Sequence, residues 1–184
     1  MRNDTSKDGI NCEKYRPFEQ LSYARQFMAN LPYLTMTVLG ALIFLTGFGS
    51  SFRGWIAAGL YIIYGISGTV WIILFVCPYC SYYDTRACPC GYGKIAAKVR
   101  PKKNENRFVE KFKKHIPFIA PLWIIPVAAA GIFLTQGFSF LLVVLIVIFS
   151  INSYVILPLL SKKYSCPHCP QKETCPWMGG KKQQ

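Results

Sequence analysis

The sequence predicts an all-α integral membrane protein: four transmembrane helices as two tandem parallel-repeat hairpins, with cytoplasmic amphipathic helices and Cys-rich metal-binding segments. Three observations carry this expectation. Hydrophobic residues make up 52% of the 184 and charged residues 16%, yet the formal net charge is +13, so apolar and basic residues are segregated along the chain. Four uncharged apolar runs are each about 20 residues long, the length a helix needs to cross the hydrocarbon core. A cysteine pattern occurs twice, each time directly after a pair of such runs.

Residues 1–30 read as a cytoplasmic N-terminal segment, polar to residue 14 and containing Cys12. From Tyr15 to Asn30 the pattern is amphipathic: Phe18, Leu21, Arg25 and Met28 lie near one helical face, with the arginine able to snorkel. This predicts an interfacial helix leading into the membrane. The first apolar run begins only after some thirty mostly polar residues, unlike a secretory signal.

Residues 31–76 form the first hairpin, with spans Leu31 to Ser51 and Trp55 to Val76 joined by a short turn that holds Arg53. Gly40, Gly47, Gly59, Gly65 and Gly68 are expected at close helix contacts, because small residues let membrane helices approach. Residues 77–116 are a Cys-rich basic segment with ten of the 21 Lys and Arg. Its second half, Asn106 to Ile116, places Phe108, Phe112 and Ile116 on one face and predicts a second basic amphipathic helix.

Residues 117–160 form the second hairpin. Its spans are Pro117 to Thr135, kinked at its start by Pro121 and Pro126, and Phe138 to Leu160, with a tight turn at Gln136-Gly137. Residues 161–184 are a Cys-rich cytoplasmic tail.

The halves correspond. Cys77-Pro78-Tyr79-Cys80 is followed by Cys88-Pro89 and Gly93-Lys94; Cys166-Pro167-His168-Cys169 is followed by Cys175-Pro176 and Gly180-Lys181. Both hairpins carry Ile-Phe-Leu-Thr, at 43–46 and 132–135, and open on Leu31-Pro32 or Ile116-Pro117. Each unit contains two spans, so an internal duplication would give copies of the same orientation. With four spans, the N-terminus, central segment and tail share one side, and 20 of the 21 basic residues lie there. The positive-inside rule makes that side cytoplasmic, where thiols stay reduced and a disulfide framework is not expected.

Eight cysteines suit two four-ligand sites. One division joins Cys12 to Cys77, Cys80 and Cys88, and Cys90 to Cys166, Cys169 and Cys175. The other, slightly favoured because it orders less chain, groups Cys77, Cys80, Cys88 and Cys90 and leaves Cys12 or His168 to complete the tail site. A Cys-x-x-Cys pair lets two thiolates converge on one ion, which suits tetrahedral zinc or an iron–sulfur cluster; the spacings do not decide between them. The tetrapeptides resemble a thiol–disulfide oxidoreductase motif but lack its βαβ setting. S-acylation explains juxtamembrane Cys77 or Cys166 but not three spaced cysteines per copy.

No Asp, Glu, Lys, Arg or His lies clearly inside a span, which argues against ion-coupled transport and proton relay. Asn152 and Ser153 are read as helix–helix hydrogen-bonding residues. There is no P-loop, nucleophile–base pair or dinucleotide fingerprint. The clusters Arg100 to Lys103 and Lys111 to Lys114 fit anionic lipid headgroups, at about 1 kcal/mol per residue near the surface, better than nucleic acid. The expectation is a membrane-anchored iron–sulfur or related redox protein passing electrons between a cytosolic donor and a membrane acceptor or partner subunit. The alternatives are a scaffold with structural zinc docking a protein partner on the cytoplasmic face, or a soft-metal carrier.

Overall fold

Four helical stretches are long and apolar enough to cross a membrane: Tyr23–Gly47, Phe52–Tyr79, Glu105–Gln136 and Phe140–Lys163. They come from a computed structural model that describes residues 22–49, 51–165 and 171, and among those residues there is no strand.

Helix α1 (Tyr23–Gly47) opens on Ser22, whose hydroxyl accepts the Arg25 N–H at 3.4 Å and satisfies one of the donors left over at a helix start. Its 25 residues extend about 37 Å, more than the hydrocarbon core requires. The expected interfacial helix is therefore not separate from the span: residues 23–30 are the first two turns of α1, and residues 15–21 lie outside the described residues. Pro32 is inside α1 instead of at its start. The helix ends at Gly49, whose φ of 65° is the left-handed geometry glycine adopts freely, and whose N–H bonds the Thr46 carbonyl at 3.1 Å. Helix α2 (Phe52–Phe75) returns antiparallel along α1.

After α2 come a 3₁₀ turn (Cys77–Tyr79), α3 (Tyr92–Val99), α4 (Phe108–Ile119) and α5 (Pro121–Gln136). The expected second amphipathic helix is α4, and Pro117 again lies within a helix. The break comes at Pro121, which has no N–H to give; Ala120 still bonds Ile116, and Trp123 then bonds back to Ala120 in a tighter turn. Helix α6 (Phe140–Ser150) starts under a Ser139 cap, then widens into π turns at Ile151–Ile156 and Ser161–Ser165 around α7 (Leu157–Leu160).

Helix α1 lies at the centre, against α2, α5 and α6. Met36, Ile43, Leu122, Leu142 and Phe149 are wholly buried between them. At Gly40 on α1, a methyl group would strike the Tyr61 ring of α2. Gly47 meets Phe133, Gly65 meets Thr37 and Gly68 meets Ile119, as the small-residue pattern predicts. Gly59 departs from that expectation and faces open space.

Polar groups inside the bundle are paired across helices. Tyr33 donates to the Gly65 carbonyl at 2.7 Å, Tyr61 to Leu122 at 2.7 Å, and Tyr64 to Phe118. Asn152 donates to the Pro32 carbonyl at 2.9 Å, joining α1 to the fourth span as expected of it. Ser153 differs: its hydroxyl is buried without a partner among the described residues. The outward faces carry Leu34, Val38, Leu60, Ile63, Ile132 and Val147, all exposed. A surface so continuously apolar is suited to lipid.

Candidate functional site

The end of the bundle where α1 begins and α2 finishes carries the first cysteine motif. Apolar residues drive α2 to Phe75, and Pro78 then holds the chain in the 3₁₀ turn in which Cys80 N–H bonds the Cys77 carbonyl at 3.0 Å. Pro78, Tyr79 and Tyr82 are buried, so this turn is packed under its neighbours. Cys80, Tyr82, Ala87 and Cys88 form a small apolar cluster of their own. Thr85 bonds back to the Tyr82 carbonyl through both N–H (3.2 Å) and hydroxyl (2.9 Å), which turns the chain towards the second pair of cysteines.

Cys88-Pro89-Cys90 leads into α3 through Gly91, whose φ of 76° again suits glycine. Gly93 has its own reason: a Cβ there would run into the Tyr82 carbonyl, and its N–H points at the Cys88 sulfur at 3.4 Å. The loop is closed beyond α3 by Lys103 N–H to the Pro78 carbonyl at 2.9 Å, and by the Tyr83 hydroxyl to the Arg100 carbonyl at 2.7 Å.

Helix α1 clamps this loop from the other side. Gln26 Nε2 donates to the carbonyls of Arg86 and Cys88, both at 3.4 Å. Asn30, one turn on, donates to the Cys90 carbonyl at 3.0 Å and accepts from the Tyr92 hydroxyl at 2.8 Å. Burial holds the Tyr92 phenol above its ordinary range. These contacts were missed in the sequence, although two amides spaced i and i+4 on a helix about to enter a membrane were a usable signal.

None of Cys77, Cys80, Cys88 and Cys90 is in a disulfide; Cys88 is buried and the others half-buried. Burial pushes the Cys77 thiol above its ordinary range, and Cys80, Cys88 and Cys90 add to the rise. Among the described residues, however, no group of three or more His, Cys, Asp and Glu side chains is arranged to hold a metal ion. The four thiols share a loop without forming a ready coordination shell. Cys12, Cys166, Cys169, Cys175 and His168 lie outside the described residues. Gln171, from the second motif, is described: its Nε2 donates to the Tyr79 carbonyl at 3.3 Å, and its Oε1 accepts from Ser81 N–H at 3.4 Å.

The other predicted features surround this loop. Lys102 pairs with Glu105 at 2.7 Å, and Glu105 accepts the Ser81 hydroxyl at 3.0 Å. Lys103 and Lys111 approach the Tyr79 ring, at 5.5 and 6.0 Å from its centroid. His115 faces α2, where its Nδ1 accepts the Trp71 indole N–H at 3.2 Å and its ring stacks on Phe75.

Fold and site together define a four-helix protein fit to cross a membrane, with a thiol-rich loop fastened to one end. No protein-family model, curated protein or solved structure gives a significant match to this chain.

Proposed function

We propose that the protein is a membrane-anchored metal–thiolate redox protein, iron–sulfur or related, passing electrons between a cytosolic donor and a membrane acceptor or partner subunit. The feature that carries this reading is the twice-occurring Cys-Pro-x-Cys motif, whose first copy and following Cys-Pro-Cys turn put Cys77, Cys80, Cys88 and Cys90 in one hydrogen-bonded loop. Clustered thiolates repel one another, and a bound cation relieves that repulsion. The Gly93 N–H on the Cys88 sulfur supports the same reading, since hydrogen bonds to ligand sulfurs tune a cluster. Four sulfurs on one zinc at about 2.3 Å stand within about 4 Å of one another, so binding draws the thiols inward. The repeat supplies a second ligand set, Cys166, Cys169 and Cys175 with Cys12 or His168. The segregation of 20 of 21 basic residues supports a cytoplasmic position for both.

A scaffold with structural zinc is the second reading, favoured by how little apolar core the loop has of its own: Tyr82, Ala87 and Cys88 with Cys80 against them. Metal would then fold the segment and present its basic surface to a protein partner. Metal and sulfide analysis of anaerobically purified protein, with a visible absorption spectrum, separates the two. Iron with acid-labile sulfide and a broad visible band supports the redox reading; colourless protein with stoichiometric zinc supports the scaffold; metal-free protein with all thiols titratable overturns both.

A further inference from the structure

Beside Cys90 a cavity of about 590 Å³ opens between the start of α1 and the start of α3. Its lining has two chemistries. Tyr23, Phe27 and Ile95 are apolar and 85%, 60% and 49% exposed; Arg86 and Lys94 are cationic and exposed. No carboxylate is among the described residues that line it.

The apolar part is continuous with the bundle's outer face. Phe27, Leu31, Leu34, Val38 and Leu42 follow one another at spacings of three or four and are all exposed, forming one stripe down α1 from the cavity into the span. The cations sit at the opposite end of that stripe, next to the loop and the first turn of α1. An occupant must therefore present a negative group beside Arg86 and Lys94 and an apolar tail along Phe27 and Leu34.

We infer that this cleft binds one anionic phospholipid, its phosphate between Arg86 and Lys94 and an acyl chain along the exposed stripe of α1. A water-soluble anion would leave Tyr23, Phe27 and Ile95 uncovered, and a zwitterionic lipid would bring its own cation to a cationic site. The site differs from the basic clusters at Arg100 to Lys103 and Lys111 to Lys114, which the sequence alone nominates for lipid. It also needs no metal, so it stands or falls independently of the redox reading. Its consequence is local: the bound lipid covers Cys90 and shields that edge of the thiol loop from water.

The test uses the full-length protein in mild detergent and native mass spectrometry, with phosphatidylglycerol or phosphatidylcholine added. Wild type should retain one phosphatidylglycerol at concentrations where phosphatidylcholine is lost. The double variant Arg86→Gln/Lys94→Gln should weaken that binding about tenfold or more, whereas Lys113→Gln/Lys114→Gln on α4 should not. In nanodiscs, phosphatidylglycerol should slow alkylation of Cys90 several-fold relative to phosphatidylcholine alone. Equal retention of both lipids, or no loss in the Arg86/Lys94 variant, overturns the proposal. Glycerol phosphate binding as well as the lipid would make this a soluble-anion site and overturn it too. Lipid binding only after removal of residues 1–20 would show that the chain's own N-terminal segment fills the cleft, and this also overturns the proposal.

Discussion

The Tyr61 hydroxyl donates at 2.7 Å to the carbonyl of Leu122, the carbonyl that a residue with an N–H at position 126 would have bonded. Position 126 is a proline inside α5, so the helix leaves that acceptor open in a region without water, and α2 closes it. Tyr61→Phe should lower stability by about 1–3 kcal/mol, the cost of a buried unsatisfied carbonyl. Thermal unfolding in detergent reads this directly. Adding Pro126→Ala should recover part of the loss by restoring the N–H; a double variant no more stable than Tyr61→Phe alone would separate the two residues.

Gly40 bears on the same contact from α1. Because a Cβ at Gly40 meets the Tyr61 ring, even Gly40→Ala must displace that ring. We expect it to destabilise despite alanine's better helix propensity, and Gly40→Leu to do so severely. At Gly59, which faces open space, alanine should be neutral or mildly stabilising by the same assay.

The clamp on the cysteine loop predicts a change in reactivity. Asn30→Ala removes the donor to the Cys90 carbonyl and the acceptor of Tyr92; Gln26→Ala removes the donor to Arg86 and Cys88. Either should speed alkylation of Cys88 and Cys90 several-fold while secondary structure measured by circular dichroism stays constant. Unchanged rates in the double variant would mean that the loop holds itself closed.

If the local four-thiol set binds one metal ion or cluster and the tail set another, Cys77→Ser/Cys80→Ser should reduce bound metal by about half. Loss of all metal would instead mean one shared site.

Orientation is checked by labelling. An impermeant thiol reagent added to intact cells should miss Cys77, Cys80, Cys88 and Cys90 and should label Ser51→Cys in the turn between α1 and α2. The opposite pattern reverses the positive-inside assignment.

The spans were legible because uncharged length is a direct reading of the bilayer's thickness. What could not be read depends on which residues meet across the fold. Residues 23–30 read as part of a helix lying on a membrane, yet they continue α1, where Gln26 and Asn30 bond the carbonyls of Arg86, Cys88 and Cys90. Pro32 and Pro117 looked like starts for a similar reason: a freed carbonyl is prohibitive in an isolated helix and tolerable in a packed one. Gly59 and Gly40 are alike in sequence; only the position of Tyr61 distinguishes them.

The amides that hold the cysteine loop lie about sixty residues before it, and this sets an order for assembly. During synthesis α1 leaves the ribosome first and α2 next, so both exist before the loop does. The bonds made by Gln26, Asn30, Lys103 and Arg100 are all available before α5 and α6 exist. The second hairpin then arrives at a finished thiol loop and is fastened by Tyr61 to Leu122 and by Asn152 to Pro32. Gln171 follows both hairpins in the chain, so its bond to the Tyr79 carbonyl ties the Cys77 turn to a segment made after the second hairpin.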